Sequence, residues 1–287
     1  MKKVLIIAYY WPPAGGPGVQ RWLKFVKYLP EFGYHPFVYI PENPTYPIID
    51  ESLLDEVSKN VSIIKGKIFE PYGILSFFDK GKANKISSGI IPAEKKQRFI
   101  EKVALWIRGN VFIPDARVFW VRPSVKFLDR FLKQNGIDTI ITTGPPHSLH
   151  LIGLKLKKKS NIRWIADFRD PWTTIGYHHL MKLSVFSEQQ HKHLEHKVLN
   201  SADQIIVTSK STKEEFRQIT TKPICVITNG YDKGLDVTVD LDSKFSISHI
   251  GSLMAGRNPK ILWESLSELM KEIPDFEKNF QLKLIGA

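Results

Sequence analysis

Short apolar runs alternate along the chain with longer segments in which apolar residues recur at helical spacing. The first run, Val4–Tyr9, is followed by a glycine-containing loop, a helical pattern over 19–32 and a second apolar run over 37–40. Uninterrupted apolar runs are typical of strands buried on both faces of a parallel sheet. The pattern therefore predicts a βαβ unit at the start of the chain.

The same alternation returns in the second half of the chain. The predicted elements there are strands over 137–142, 164–167, 204–208 and 224–228 and helices over 149–159, 184–199 and 210–219. Repeated alternation with short connections predicts an α/β fold with a Rossmann-like, doubly wound parallel sheet. Residues 42–120 are less regular, and we interpret them as an elaboration inserted into the first half.

A polar stretch that ends at Lys244 predicts a hinge between two domains. Beyond it, a strand–helix–strand pattern over 245–285 begins a second unit. A lone βαβ unit is too small to cover a parallel sheet on both faces. We therefore predict a Rossmann-like domain over 1–230, followed over 231–287 by a hinge and the start of an incomplete, second Rossmann-like domain.

Basic residues outnumber acidic ones, with 41 Lys and Arg against 29 Asp and Glu and a formal net charge of +12. Such an excess favours polyanionic partners, which are an anionic membrane surface, a phosphorylated lipid, a nucleotide or a nucleic acid. No helix-turn-helix, zinc-finger or RNA-binding aromatic signature accompanies the charge, so we expect no nucleic-acid partner. No apolar window approaches the ~18 residues of a membrane-spanning helix, so any membrane contact is expected to be peripheral.

The single cysteine, Cys225, excludes an intrachain disulfide and a thiolate metal cluster. Its place within an apolar run predicts a buried side chain. A lone thiol fits the reducing cytoplasm. His191, His193 and His196 lie close in sequence but lack the spacing of a metal motif, so we expect no metal site.

Three glycines, Gly15, Gly16 and Gly18, lie between the first predicted strand and its helix. Glycine lets the backbone approach a ligand closely, and a helix N-terminus attracts an anion or a polar sugar. A dinucleotide fingerprint would need a further glycine at position 21, which is Arg21. The loop is therefore either a ligand-binding turn or a simple strand-to-helix connection.

Two residues, His147 and Ser148, open the helix that follows the strand over 137–142. Ligands of open α/β sheets bind at this end of the strands, where His147 could donate to a phosphate or a hydroxyl. Ser148 could cap the helix. The alternative is that His147 itself serves only as a cap.

The next predicted strand ends in Asp167, Arg169 and Asp170. Two carboxylates and a guanidinium are costly to bury unless they are paired or functional. We expect the two carboxylates to fix Arg169, which would then hold a phosphate or a sugar hydroxyl bidentately. The alternative is a self-satisfied ion-pair cluster that only holds the loop.

An amphipathic helix is predicted from Lys95 to about Arg108. Its apolar residues include Phe99, Val103 and Trp106, and its other face is basic. Such a helix either lies in a membrane interface or packs on the protein surface. The overall charge favours the membrane interpretation.

Four motifs follow one another along nearly the whole chain, namely Gly-Gly after the first strand, Gly-Pro-Pro-His-Ser, Ala-Asp-Phe-Arg-Asp-Pro-Trp and Thr-Asn-Gly-Tyr-Asp. Together they resemble the family 4 glycosyltransferases, and the bacterial polysaccharide branch in particular. The resemblance implies a GT-B fold, with the acceptor bound by the first domain and the nucleotide-sugar by the second. It also implies a metal-independent transfer with retention of configuration.

The resemblance also suggests roles for single residues. Many relatives carry His-Asp where this chain has Arg169 and Asp170, so the role of that histidine passes either to Arg169 or to His147. The implied catalytic residues are His147, Arg169 and Asp170, and the implied substrate- or donor-binding residues are Gly15, Gly16, Gly18, Asp167, Asn229, Gly251 and Arg257. In relatives the paired glutamates that hold the donor lie beyond the position of residue 287, so this fragment alone is expected to be inactive.

The sequence thus predicts an enzyme that moves a sugar from a nucleotide-sugar co-substrate, without another cofactor, to a polysaccharide, glycolipid or other cell-envelope acceptor. We expect it in the cytoplasm, with optional peripheral contact to the inner face of the cell membrane. Two alternatives stay open. One is a nucleotide-sugar epimerase of the same fold, and the other is a non-catalytic carbohydrate- or lipid-binding module.

Overall fold

Residues 1–70, 99–176, 178–232, 238, 240–251, 253 and 258–286 are described by the computed structural model of the chain. The chain divides into two compact units, Met1–Gly230 (unit 1) and Tyr231–Ala287 (unit 2).

A parallel sheet of seven strands forms the centre of the described part of unit 1. The strands are β1 (Lys2–Ile7), β2 (Tyr34–Pro41), β3 (Ser62–Gly66), β4 (Thr139–Gly144), β5 (Arg163–Phe168), β6 (Gln204–Val207) and β7 (Ile224–Val226). Their order in space is β3-β2-β1-β4-β5-β6-β7. The strand order reverses between β1 and β4, and doubly wound sheets bind ligands outside the carboxyl ends of the strands at such a point.

Helices connect these strands. In unit 1 they are α1 (Pro17–Tyr28), α2 (Phe99–Asn110), α3 (Val118–Asn135), α4 (Ser148–Lys159), α5 (Val185–Ser201) and α6 (Lys210–Arg217), with 3₁₀ turns at Leu29–Phe32, Glu51–Leu54 and His178–Met181. The turn after α1 ends at Gly33, whose left-handed backbone (φ 81°) suits glycine. The α/β prediction is therefore confirmed.

Both faces of the sheet are buried. Successive residues of β1 point to opposite faces, so Leu5 and Ile7 enter one hydrophobic cluster and Val4 and Ile6 enter the other. This double burial explains why the first strand is an uninterrupted apolar run rather than an alternating one.

The region over 42–120 contributes more to the sheet than the sequence suggested. Strand β3 lies within it and pairs in parallel with β2 at one edge of the sheet. The long helix α3 begins at its end and buries Trp120 and Leu128. Pro123 lies inside α3, and because proline usually breaks a helix, it obscures the helical pattern in the sequence.

The prediction of a buried Cys225 is wrong, because this side chain is exposed. Cys225 lies on β7, the strand at the other edge of the sheet. Its neighbour Ile224 points to the covered face and is buried. Successive side chains of a strand point to opposite faces, and at β7 the face that carries Cys225 is exposed.

The predicted amphipathic helix corresponds to α2, and residues 95–98 lie outside the described residues. Leu105 is buried, whereas Val103 and Trp106 are exposed. Within the described part of the chain, no helix is long and apolar enough to cross a membrane.

Unit 2 contains the parallel pair β8 (Phe245–Ile250) and β9 (Phe280–Ile285), with α7 (Lys260–Glu272) and α8 (Pro274–Asn279) between them. This is the strand–helix–strand pattern that the sequence indicates. Gly251 follows β8 with φ 116°, and its N–H donates to the carbonyl of Ile285. Arg257, the other residue proposed for donor binding in this unit, lies outside the described residues.

Candidate active site

Loops that follow β1, β4 and β5 meet at the carboxyl edge of the sheet, where the strand order reverses. The loop after β1 carries the glycines, and the loop after β4 carries His147. The loop after β5 carries Arg169 and Asp170. Parallel pairing of neighbouring strands therefore brings together residues that lie more than 100 positions apart.

Asp167 lies at the end of β5 and has no exposed surface. Its Oδ1 accepts a hydrogen bond from Arg21 Nη2 at 3.0 Å. Its Oδ2 accepts from Trp22 Nε1 and from Thr143 Oγ1, each at 2.8 Å. The expectation that Asp167 fixes Arg169 is wrong, because the carboxylate points into the protein and is satisfied by α1 and β4. Asp167 thus joins β5 to α1 and β4 and has a structural role at the site.

Arg169 is held by backbone carbonyls instead of carboxylates. Its Nε donates to the carbonyl of Gly144 at 3.2 Å, and its Nη2 donates to the carbonyl of Pro145. Among the described residues it forms no ion pair. Burial lowers the pKa of Arg169, while the nearby carboxylates of Asp167 and Asp170 act in the opposite direction. In the part of the chain that the structure describes, therefore, no carboxylate is bound to the guanidinium of Arg169.

The guanidinium of Arg169 packs directly against the start of α1. A Cβ placed on Gly18 would lie 1.5 Å from Arg169 Nη1. Gly16 is the N-cap residue of α1 and supplies no side-chain cap, and the first turn of the helix contains no acidic residue. A helix N-terminus carries a partial positive charge. At α1 this charge comes from the helix dipole, because Pro17 has no N–H and the N–H of Val19 donates to the carbonyl of Gly16 at 3.1 Å. The guanidinium and the helix end therefore converge on one place suited to an anion.

A cavity of about 220 Å³ opens beside this place. Its lining combines apolar, aromatic and polar side chains: Tyr10, Arg108, Pro114, Asp115, Arg117, Pro145, Pro146, His147, Asp170, Trp172, Ile175, His178, Met181 and His191. A concave surface of this mixed character is typical of a small-molecule site. We call it the edge cavity.

His147 lies in the wall of the edge cavity and stacks on Trp172, with ring centroids 4.9 Å apart. It is buried, and neither ring nitrogen has a hydrogen-bond partner among the described residues. Burial holds the pKa of His147 well below its usual range. The imidazole is therefore neutral near pH 7, so one ring nitrogen can donate and the other can accept a hydrogen bond. A hydroxyl group of a ligand matches this pair of functions.

The chain resembles a known family over about half of its length. A family model for Glycosyltransferase Family 4 matches residues 90–234, just over half of the chain. The chain belongs to this family. No curated protein sequence matches it significantly.

Solved structures of glycosyltransferases have the same fold. The match to TarM covers 100% of this chain and 77% of TarM, at a TM-score of 0.51 and 11% identity. The match to HepE of Anabaena, whose structure is a complex with UDP and glucose, covers 100% of this chain and 69% of HepE. Its TM-score is 0.50 and its identity 14%. The match to a glycosyltransferase from Rickettsia africae covers 100% of this chain and 69% of that protein, at a TM-score of 0.48 and 12% identity. The likeness to TarM and HepE confirms the predicted GT-B fold.

Arg21 is a residue of this family 4 chain whose importance the sequence analysis missed. Its side chain is fully buried and paired with Asp167. Its Nη1 also donates to the carbonyl of Thr228 at 3.0 Å and to Asn229 Oδ1 at 3.2 Å. Asn229, which was predicted to bind substrate, is therefore bound to Arg21. The signal was present in the sequence, since Arg21 occupies the position where the dinucleotide fingerprint requires glycine.

Two further residues at the edge cavity were also missed. Asp115 accepts hydrogen bonds from the backbone N–H and the hydroxyl of Ser148, each at 2.8 Å, and so fixes the start of α4. Arg117 Nη2 donates to Tyr9 Oη at 3.1 Å, and Arg117 Nε lies 3.2 Å from a carboxylate oxygen of Glu70. Both residues precede α3 in a segment without a recognisable motif.

His191 connects the elements around the edge cavity. Trp172 Nε1 donates to His191 Nδ1 at 3.2 Å, and His191 Nε2 lies 3.1 Å from the carbonyl of Gly109. Because Nδ1 accepts, Nε2 carries the proton and donates to that carbonyl. His193 and His196 are exposed. Over the described ranges, no group of three or more His, Cys, Asp or Glu side chains is placed to hold a metal ion.

The glycine loop offers a test that separates binding from stability. Gly18→Ala is expected to lower kcat/KM of the full-length protein about 10²-fold, because a Cβ at 1.5 Å from Nη1 displaces the Arg169 guanidinium. The melting temperature should not fall, since alanine is a better helix former than glycine. Gly176→Ala is the control, because its Cβ meets nothing within 4 Å. Wild-type kinetics for Gly18→Ala would show that the position of Arg169 is unimportant.

His150 makes the stability of unit 1 depend on pH. Thr142 Oγ1 accepts from Trp164 Nε1 and lies 2.8 Å from His150 Nδ1. Burial is the largest cause that lowers the pKa of His150 to about 3 from an ordinary value of 6.5. The unfolded chain therefore binds the proton first, and the free energy of unfolding falls as the pH drops from about 6.5 to about 3.

Between these two pH values, we expect His150 to change the free energy of unfolding by about 1.4 kcal/mol per pH unit. Urea unfolding at several pH values measures the slope, which should be smaller in His150→Gln. His193→Gln, on the exposed face of α5, is the matched control. Equal slopes in the wild type and in His150→Gln would exclude this role.

Proposed function

We propose that this family 4 chain belongs to an enzyme that transfers a sugar from a nucleotide-sugar to a polysaccharide, glycolipid or other cell-envelope acceptor. We further propose retention of configuration and no requirement for a metal ion or another cofactor. The observation that carries the proposal is the placement of the Arg169 guanidinium against Gly18 at the start of α1. Membership of the family supports the general reaction.

The proposed role of this place is to stabilise the leaving group. When the bond between sugar and nucleotide breaks, negative charge grows on the nucleotide diphosphate. A fixed guanidinium and the positive end of a helix dipole stabilise such charge, and they do so more strongly where water is excluded. Gly15 and Gly16 would let the backbone approach the phosphates, and Gly18 leaves room for Arg169.

The edge cavity is proposed to hold the acceptor. His147 contributes a neutral imidazole whose nitrogens have no partner among the described residues. An acceptor hydroxyl could donate to one of them while it attacks the anomeric carbon. Asp170 lines the same cavity and is exposed, so it is available to a sugar hydroxyl. In unit 2, Gly251 and Arg257 are proposed to contact the donor.

The experiment is an assay of nucleotide release by the full-length protein with a panel of nucleotide-sugars and a membrane-lipid extract as the source of acceptors. Release that depends on the extract and occurs with one donor supports the proposal. An isomerised donor without release would indicate an epimerase. No turnover from folded full-length protein would indicate a binding module.

A further inference from the structure

The ring of His147 is oriented by packing, because neither of its nitrogens has a hydrogen-bond partner among the described residues. An imidazole that takes up a proton in a reaction is usually oriented by a hydrogen bond to its other ring nitrogen. Here the nearest ring is that of Trp172, which lies parallel to the imidazole, with centroids 4.9 Å and planes 2° apart. The rings of His150 and Phe168 are tilted and lie at 5.8 and 5.9 Å. The orientation of His147 therefore depends on the position of Trp172.

Two side chains of α5 hold Trp172 and the residue that follows it. His191 Nδ1 accepts from Trp172 Nε1 at 3.2 Å. Glu195 accepts from the backbone N–H of Thr173 at 3.2 Å and from its hydroxyl at 2.6 Å. Residues four positions apart lie on the same face of a helix. His191 and Glu195 therefore bind two successive residues of the loop after β5 from one face of α5.

The same loop is fixed at further points. The carbonyl of Arg169, at its start, accepts from Thr208 Oγ1 at 2.8 Å. His191 donates through Nε2 to the carbonyl of Gly109 at 3.1 Å, which joins α5 to α2. Glu195 is buried, and a buried group that loses its hydrogen-bond partner raises the free energy of the folded state. The loop thus has one defined position, and Trp172 shares it.

Glu195 differs from the other members of this network in its distance from the ligand site. Trp172 and His191 line the edge cavity, whereas Glu195 and Thr173 do not. A replacement of His191 would therefore change the cavity wall directly. A replacement of Glu195 acts on the cavity only through Thr173 and Trp172.

We propose that Glu195 is a positioning residue, which through Thr173 and Trp172 fixes the ring of His147 in the orientation that meets the acceptor hydroxyl. Its effect on turnover rests on the proposed sugar transfer. Its effect on the imidazole does not, because the orientation of the ring is a property of unit 1 itself. The two effects are therefore measured separately.

The first measurement is kcat for nucleotide release by the full-length protein. Glu195→Met removes both acceptors, and kcat is expected to fall about tenfold because a small displacement of a catalytic group is costly. The KM of the donor should not change. Glu195→Gln should recover most of kcat, since its amide can accept from the N–H of Thr173 and donate to the hydroxyl. Glu188→Met, on the exposed start of the same helix, is the matched control.

The second measurement is the titration of His147, followed by NMR of histidine-labelled full-length protein and assigned with His147→Gln. Burial holds the pKa of His147 well below its ordinary value of 6.5. A ring that is no longer held in the stack meets water, so its pKa should rise towards 6.5 in Glu195→Met. The neighbouring groups that act on its charge stay in place in this variant, namely His150, Arg169, His178 and His191.

Thr173→Val is a milder variant that also decides the matter if Glu195→Met does not fold. It removes only the hydroxyl and keeps the backbone N–H that donates to Glu195. The pKa of His147 should rise in this variant too, by less than in Glu195→Met.

A raised pKa of His147 together with a lower kcat, both recovered in Glu195→Gln, supports the positioning role. The proposal is overturned if His147 titrates alike in the wild type, Glu195→Met and Thr173→Val. A fall in kcat without that change would indicate a general loss of structure and contradicts it as well, as would equal effects of Glu188→Met. If the wild type releases no nucleotide with any donor, the proposed function fails, and the titration alone decides the role of Glu195.

Discussion

Arg169→Ala in the full-length protein is expected to reduce kcat for sugar transfer about 10²- to 10³-fold, the usual cost of removing one fixed donor to a developing charge. The physical reason is the place of the guanidinium, which lies against Gly18 at the start of α1 and forms no ion pair among the described residues. Nucleotide release under saturating donor measures the effect. Arg169→Lys should recover little activity, because an ammonium group lacks the planar fork of arginine.

Two controls separate this role from a general loss of structure. Arg163→Ala removes an exposed arginine from the other end of β5 and should leave kcat unchanged. Guanidinium ion added to Arg169→Ala should restore part of the activity, because it can enter the space left beside Gly18. Activity of Arg169→Ala equal to that of the wild type would falsify the assignment of the leaving-group site.

Asp167→Asn is expected to destabilise unit 1 by about 3–5 kcal/mol, since it leaves the charge of Arg21 buried without a counter-ion. The two side chains have no exposed surface and lie 3.0 Å apart. Urea unfolding followed by tryptophan fluorescence measures the loss. Lys192→Met breaks an exposed ion pair on α5 and should cost no more than about 1 kcal/mol.

A double replacement tests whether the charge itself is the cause. Arg21→Met combined with Asp167→Leu removes both charges, and it should be less destabilised than the sum of the two single replacements. If the effects simply add, the ion pair is unimportant and only the separate hydrogen bonds to Trp22, Thr143 and Asn229 matter.

Much of the fold was predictable because strands and helices leave local periodic signals. The apolar run of β1, the glycine after α1 and the repeated alternation beyond residue 137 each indicate their element correctly. Helix α3 was missed because Pro123 lies inside it, although its buried residues recur at helical spacing. Cys225 was misplaced because an apolar run does not reveal that its strand lies at the edge of the sheet.

The candidate site was only partly predictable. His147, Arg169 and Asp170 were singled out because they follow strands at the edge where such sheets bind ligands. Arg21, the partner of Asp167, was not singled out, because it lies 146 positions away in sequence and meets Asp167 only in the folded interior. Asp115 was missed for the same reason, because Ser148, the residue that it binds at the start of α4, lies 33 positions further along the chain.

The sequence by itself determined the α/β alternation, the order of the motifs and hence the family, because these depend on periodicity and on short local patterns. Only the tertiary structure decided which charges are neutralised, where the guanidinium of Arg169 lies and which apolar side chains face water. Those properties depend on distances between segments far apart in the chain, which the packing of the sheet and its helices fixes and local sequence does not encode.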